Sequence, residues 1–148
     1  MKLCLKEKFD PRVHEQLSSL HERSTLGSTA LHFAVIGGCI GTLETLIDNG
    51  TRLNRKNQKG ETALHWACKE ATVDIVRKLL DSGASLNSLD YEGNSPLHWA
   101  TEYDRPDVAA ILIKHGANIN QKNLRRETPL DVAITNNAES CELLLQSL

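Results

Sequence analysis

The chain has 148 residues, 40% of them hydrophobic, with 17 lysines and arginines set against 19 aspartates and glutamates and a pI near 6.3. That length is one domain's worth and suffices to bury roughly two thirds of the surface an unfolded chain exposes, so the chain can fold alone. Near-balanced charge leaves no field to gather nucleic acid or an anionic membrane, and the longest apolar run, Val108 to Ile113, is too short to cross a bilayer.

Residues 1–23 stand apart from the rest. Leu3, Cys4 and Leu5 ahead of Lys6-Glu7-Lys8 fall far short of a signal-peptide core, and neither end carries a lipidation signal. Asp10 followed by Pro11 suits an N-cap and first helical position, which predicts a capping helix from Asp10 to about Leu20. Its Val13, Leu17 and Leu20 would cover the next unit while His14, Glu15 and Gln16 face water. Cys4, Cys39, Cys68 and Cys141 are scattered and form no C-x-x-C pair, so free thiols in a reducing compartment are expected, in cytoplasm or nucleus.

From residue 29 onward a six-residue box recurs every 33 residues: Thr29-Ala30-Leu31-His32-Phe33-Ala34, then Thr62-Ala63-Leu64-His65-Trp66-Ala67, Ser95-Pro96-Leu97-His98-Trp99-Ala100 and Thr128-Pro129-Leu130-Asp131-Val132-Ala133. Leu46-Ile47, Leu79-Leu80 and Leu112-Ile113 keep the same phase, as do Gly50, Gly83 and Gly116, and Asn54, Asn87 and Asn120. Thr62 and Ser95 are N-caps, and Pro96 and Pro129 fit the first helical position, so each box opens a short helix anchored by a leucine such as Leu64. Small residues such as Ala63, Ala67 and Cys68 let neighbouring helices approach. A second helix is predicted over Val73 to Leu80, with Val73, Val76, Leu79 and Leu80 as its apolar stripe, Asp74 and Asp107 in the first turns, and Gly83 and Gly116 as stops. Segments such as Asn87 to Asn94 read as hairpin-like turns between units. Gly38 aligns with Ala71, Asp104 and Asn137, so strain is expected at Ala71 and Asp104. In the last unit, a one-residue deletion near Asn136-Asn137 is expected to bring Cys141, Leu144 and Leu145 onto the Val76, Leu79 and Leu80 positions. One unit cannot hide its own apolar face, so the units must stack.

The box, the later leucine pair and the Gly-to-Asn spacing resemble the ankyrin-repeat family over about residues 24 to 148. The resemblance implies an all-α solenoid of stacked helix-turn-helix units with β-hairpin-like finger turns. Residues 1–23 would form a cap, 24–56, 57–89 and 90–122 the first three repeats, and 123–148 a C-terminal capping repeat. It further implies a non-catalytic module holding a partner protein on a concave face made by finger tips and the exposed side of the first helices. Carried onto this chain, the finger part of that face runs over Thr25, Leu26 and Ser28, then Gln58, Lys59 and Glu61, then Tyr91, Glu92 and Asn94, then Leu124, Arg125, Arg126 and Glu127. The helix part runs over Phe33, Ile36 and Gly37, then Trp66, Lys69 and Glu70, then Trp99, Glu102 and Tyr103, then Val132, Thr135 and Asn136. The partner-binding candidates on this face are Phe33, Lys59, Trp66, Lys69, Glu70, Tyr91, Glu92, Trp99, Glu102, Tyr103, Arg125 and Arg126. Aromatic residues anchor interfaces because they bury much area with few rotatable bonds. Phe33, Trp66 and Trp99 either face this groove or pack between helices, whereas the stack has no need of Tyr91 and Tyr103.

Lysine and arginine mixed with glutamate along this face suit a protein segment better than a nucleic-acid backbone. His32, His65 and His98 suggest a metal site, but stacked helices lie roughly 8–10 Å apart. Zinc ligands must each come within about 2 Å of the ion. Histidines bridging turn backbone groups are the better reading, and Asp131 breaks the set. Gly37-Gly38 lacks the companions of a phosphate loop, and no nucleophile elbow or H-E-x-x-H motif is present. No catalytic residue, metal or cofactor is therefore expected, and the chain alone is expected to be monomeric. Arg126 stands where Gly27, Gly60 and Gly93 turn the other fingers, as a cap feature or a contact. Asn54, Asn87 and Asn120 resemble ankyrin asparagines that an intracellular hydroxylase modifies, though bracing of the loop is the simpler role. The alternative functions are a targeting or regulatory domain of a larger enzyme or ubiquitin-ligase assembly, or a small inhibitor of an enzyme or transcription factor.

Overall fold

The computed structural model describes residues 29–148, so the expected capping helix and the first finger, with Thr25, Leu26, Gly27 and Ser28, lie outside the described residues. Each box begins with an extended residue, Thr29, Thr62, Ser95 or Thr128, whose hydroxyl accepts the amide three residues on. The side chain at that third position accepts the cap's own amide in return. This reciprocal capping satisfies two amides the first turn would otherwise leave unpaired. It opens the first helices of the four repeats: α1 (Ala30–Ile36), followed by α2 (Ile40–Asp48); α3 (Ala63–Glu70), by α4 (Val73–Asp81); α5 (Pro96–Glu102), by α6 (Pro106–Lys114); and α7 (Pro129–Thr135), by α8 (Glu139–Gln146). None of the described helices is long and apolar enough to cross a membrane.

Helices α1, α3, α5 and α7 stack in one row and α2, α4, α6 and α8 in a second, each pair packing within its repeat. The core runs between the rows. Leu31, Leu64 and Leu97 fill the first row, and Leu43, Ile75, Val76, Leu79 and Leu112 the second, all fully buried. Ala30, Ala63, Ala67, Ala100 and Ala133 are also sealed, which permits close approach between successive first helices.

Fingers join one another through their backbones. The Tyr91 amide donates to the Lys59 carbonyl at 3.0 Å, and the Leu124 amide to the Glu92 carbonyl at 2.9 Å. The glycines beside these bonds are needed twice over. Gly60 and Gly93 adopt φ of +78° and +80°, and a Cβ on Gly60 would stand 2.6 Å from the Tyr91 ring and 2.8 Å from its backbone nitrogen. On Gly93 it would meet the Leu124 nitrogen at 2.8 Å. Arg126 adopts the same left-handed geometry, φ +63°, in the last finger, against which no further finger docks among the described residues.

Four expectations need correction. The last repeat contains no deletion: α8 begins at Glu139, 33 residues after Pro106, and Cys141 occupies the buried place of Ile75 and Val108. The expected stripe had overlooked Ile75, whereas Val73, assigned to the stripe, is only partly buried. Asp104 does carry the left-handed strain, with φ +48°, but Ala71 does not. There α3 runs on to Glu70, Ala71 leaves it in extended geometry at φ −81°, and the Ala71 carbonyl accepts the Arg105 guanidinium at 2.6 Å. Cys68 and Cys141 are buried free thiols, whereas Cys39 is disulfide-bonded, because separation along the chain does not fix separation in space.

The groove between the fingers and the first helices

Each of the three described fingers closes on an asparagine or aspartate at a 33-residue spacing. Asn57 Oδ1 accepts the amides of Lys59 and Glu61, Asp90 Oδ1 those of Glu92 and Asn94, and Asn123 Oδ1 those of Arg125 and Glu127, all at 2.9–3.0 Å. These turns set the height at which finger side chains stand over the first helices.

The histidines hold the fingers to the helices. His32 Nε2 donates to the Glu61 carbonyl at 2.8 Å, His65 Nε2 to the Asn94 carbonyl at 2.9 Å and His98 Nε2 to the Glu127 carbonyl at 3.0 Å. A carbonyl only accepts, so Nε2 carries the proton, and Nδ1, facing the capping amide, must be bare. Both nitrogens are thus committed to the chain. Burial lowers all three pKa values, and the carbonyl bonds only partly oppose it.

An open cleft of about 220 Å³ lies along this face, lined by Ile36, Asn57, Lys59, Glu61, Trp66, Lys69, Glu70 and Trp99. Five of the twelve sequence-derived candidates therefore meet at one cleft: Lys59, Trp66, Lys69, Glu70 and Trp99. Phe33 abuts it, its ring 6.2 Å from Trp66 and edge-on. Tyr103 borders it from the other side, with the Lys69 ammonium 5.2 Å from its ring centre and the Trp99 ring at 6.2 Å. Tyr91, Glu92, Arg125 and Arg126 stand exposed on the fingers, Arg125 beside Glu127 at 3.6 Å. Trp99 differs from the rest. It is 9% exposed, its indole N–H donates to Asp90 at 3.0 Å, and its main role is packing. Trp66 is half-buried and donates to Glu61 at 2.7 Å.

Glu102, at the end of α5, has its carboxyl pushed above the usual range by partial desolvation, with Glu92 and Asp90 adding to the effect and Arg125 and Lys69 opposing it. The asparagine ladder braces successive loops: Asn54 Oδ1 accepts the Ser85 amide at 2.7 Å, and Asn87 Oδ1 the Asn118 amide at 3.2 Å. Asn120 instead receives its local order from Asn118, whose Oδ1 accepts the Asn120 amide at 3.0 Å. Among the described residues, Ile36 of the cleft wall and Leu124, the most exposed apolar fingertip, lie on the face that the resemblance implies but outside its twelve partner-binding candidates. The same holds for Glu61, which holds Trp66, whereas Asp90, which holds Trp99, was on neither. The 33-residue spacing of Asn57, Asp90 and Asn123 was the available signal for the finger turns.

A family model describing ankyrin repeats in three copies matches residues 1–90, 31–123 and 90–148. Comparison with curated proteins returns no match. Boxes, bridging histidines and finger turns all repeat in the register that this match spans, and the chain belongs to the ankyrin-repeat family, whose repeats are generally modules for binding other proteins.

Proposed function

We propose that the chain binds a segment of one partner protein along the groove between fingers and first helices, and that it performs no chemistry on it. The observation that carries this reading is where the exposed apolar side chains lie. Of the nine large ones among the described residues, Ile36 lines the cleft, Phe33 and Tyr103 border it, and Tyr91 and Leu124 stand on the fingers. Clustering of that kind marks an interaction surface, whereas scattered single residues do not. Among the described residues, the box histidines His32, His65 and His98 have both ring nitrogens bonded to the chain, and burial pushes the Cys68 thiol up and the Cys141 thiol up to about 12, which removes these five groups as nucleophiles or bases. A face built on stacked helices loses little entropy on binding, and a standard interface takes about 800 Å² from each partner.

The test is affinity for a partner captured from cells, measured for wild type beside Phe33→Ala and Tyr103→Ala. Each variant should weaken binding about tenfold or more while leaving helical circular dichroism unchanged. Unchanged affinity in both would sink the groove reading.

A further inference from the structure

We infer that Arg126 and Asp131 bar a further ankyrin repeat, from a second copy of this chain or from another ankyrin protein, from stacking in register on α7 and α8. The helix surface beneath them stays open to one. Ile134 is 49% exposed, whereas Val35, Cys68 and Thr101, which hold its place in the three repeats that another repeat follows, are 0% exposed. Leu130 is likewise only half-buried where Leu31, Leu64 and Leu97 are sealed. The hydrophobic effect alone would draw the leading face of another stack onto this surface, and such a head-to-tail contact does not close on itself but continues into filaments.

The obstacle lies in the finger. A finger docks by giving one amide to the finger before it, Tyr91 to the Lys59 carbonyl and Leu124 to the Glu92 carbonyl. The residue after each accepting carbonyl is a glycine, Gly60 or Gly93, on which a Cβ would stand 2.8 Å from the incoming nitrogen, inside the 3.0 Å that such carbons keep. At the next step of the register Arg125 would supply the carbonyl and Arg126 its neighbour. The last finger makes the same turn: Arg126 has φ +63° against +78° and +80°, and its amide donates to the Asn123 carbonyl at 2.9 Å, as those of Gly60 and Gly93 do to Asn57 and Asp90 at 3.0 Å. The Arg126 Cβ therefore fills the place that an incoming amide needs.

Asp131 removes the second tie. Each docked finger accepts a hydrogen bond from the histidine of the preceding box, His32 to Glu61, His65 to Asn94 and His98 to Glu127. Asp131 holds that position in the last box, where its Oδ2 accepts the Thr128 amide at 2.9 Å and hydroxyl at 3.0 Å, bonds that keep its carboxyl below the usual range. An ionised carboxylate has no proton to give, and it would set negative charge against an incoming carbonyl. One residue acts by bulk and the other by charge, on different elements, and both oppose the same approach, as guarded edges do in natural sheets.

The experiment lengthens the full chain by one unit, residues 1–148 followed by a second copy of residues 116–148, and reads hydrogen exchange and proteolysis of the added unit by mass spectrometry. With Arg126 and Asp131 unchanged at the junction, the added unit should exchange and be cut as an unfolded segment. Junction Arg126→Gly with Asp131→His should dock it, slowing both processes about tenfold or more. Arg126→Gly alone should give part of that protection and Arg126→Ala none, because alanine drops the charge but keeps the Cβ. Both changes copy sequence that already folds in this chain, the turn at Gly93 and the box Ser95-Pro96-Leu97-His98, so the 148-residue chain carrying them should keep its helical circular dichroism. Protection with the junction unchanged, or equal protection by Arg126→Ala and Arg126→Gly, would overturn the inference. So would an added unit that the double substitution leaves unprotected.

Discussion

Placing alanine at Gly60 separates two demands that the finger turn makes on one residue. The first is conformational: at φ +78° a side chain costs on the order of 1 kcal/mol. The second is steric, because the added Cβ would press on the Tyr91 ring at 2.6 Å and on its backbone nitrogen at 2.8 Å. Tyr91 must move away, which stretches the 3.0 Å bond from its amide to the Lys59 carbonyl and forfeits about 1 kcal/mol of hydrogen bonding with some packing besides. The two quantified losses sum to about 2 kcal/mol, or roughly 4–8 °C in melting midpoint for a domain of this size, and the packing loss adds to them.

Arg126→Gly provides the contrast. Its φ of +63° carries the same strain, but no finger docks on it among the described residues. Relief of about 1 kcal/mol is offset by the greater freedom glycine has when unfolded, and the net change should lie within about 0.5 kcal/mol of zero. Thermal and urea unfolding followed by circular dichroism give both values. Tyr91→Ala should rescue Gly60→Ala only in part, because the contact with the backbone nitrogen remains. A Gly60→Ala chain that melts within about 2 °C of wild type, or an Arg126→Gly chain that falls as far as Gly60→Ala, would refute the idea that close approach between fingers selects glycine.

Stability should fall as pH drops from 7 toward 5. His32, His65 and His98 have folded pKa values below their unfolded value near 6.5, so the stability they contribute is present above that pH and is lost as protonation of Nδ1 breaks the capping boxes. Urea titrations across that range check it, and His65→Gln should flatten the slope. Asp104→Ala keeps the left-handed strain and removes the Oδ1 that accepts the Cys141 amide at 3.1 Å, so it should destabilise by about 1–2 kcal/mol. Asp104→Asn should be nearly neutral by the same urea measurement.

The stacking of the chain was legible because its signal is redundant. Box, cap, leucine pair and glycine stop each recur at one spacing, so a single substitution does not hide the register. The departures lie where one residue answers to a neighbour in another repeat. At Ala71, α3 runs on to Glu70 and the chain leaves the helix extended, so the strain expected from aligning it with Gly38 never arises. In the last repeat, overlooking Ile75 as a core position made Cys141 look displaced and suggested a deletion that the even spacing of the second helices excludes. The bonds from Glu61 and Asp90 to the indoles were hidden because their partners lie five and nine residues away, outside any helical or strand period.

Trp66 and Trp99 show most directly why repeat register alone does not assign a binding role. They occupy the same place in successive boxes, each stands edge-on to the histidine of the preceding repeat, and each gives its indole proton to an acid of its own finger. What differs is the residue at the end of the helix: Tyr103 follows Trp99 and lies 6.2 Å from its ring, whereas the matching residue after Trp66 is Glu70, drawn to Lys69 instead. Trp99 is covered and Trp66 remains partly open. The backbone therefore repeats an address, and non-repeating neighbours decide whether the side chain there is core or contact, which is why the cleft opens on Trp66 and its two lysines.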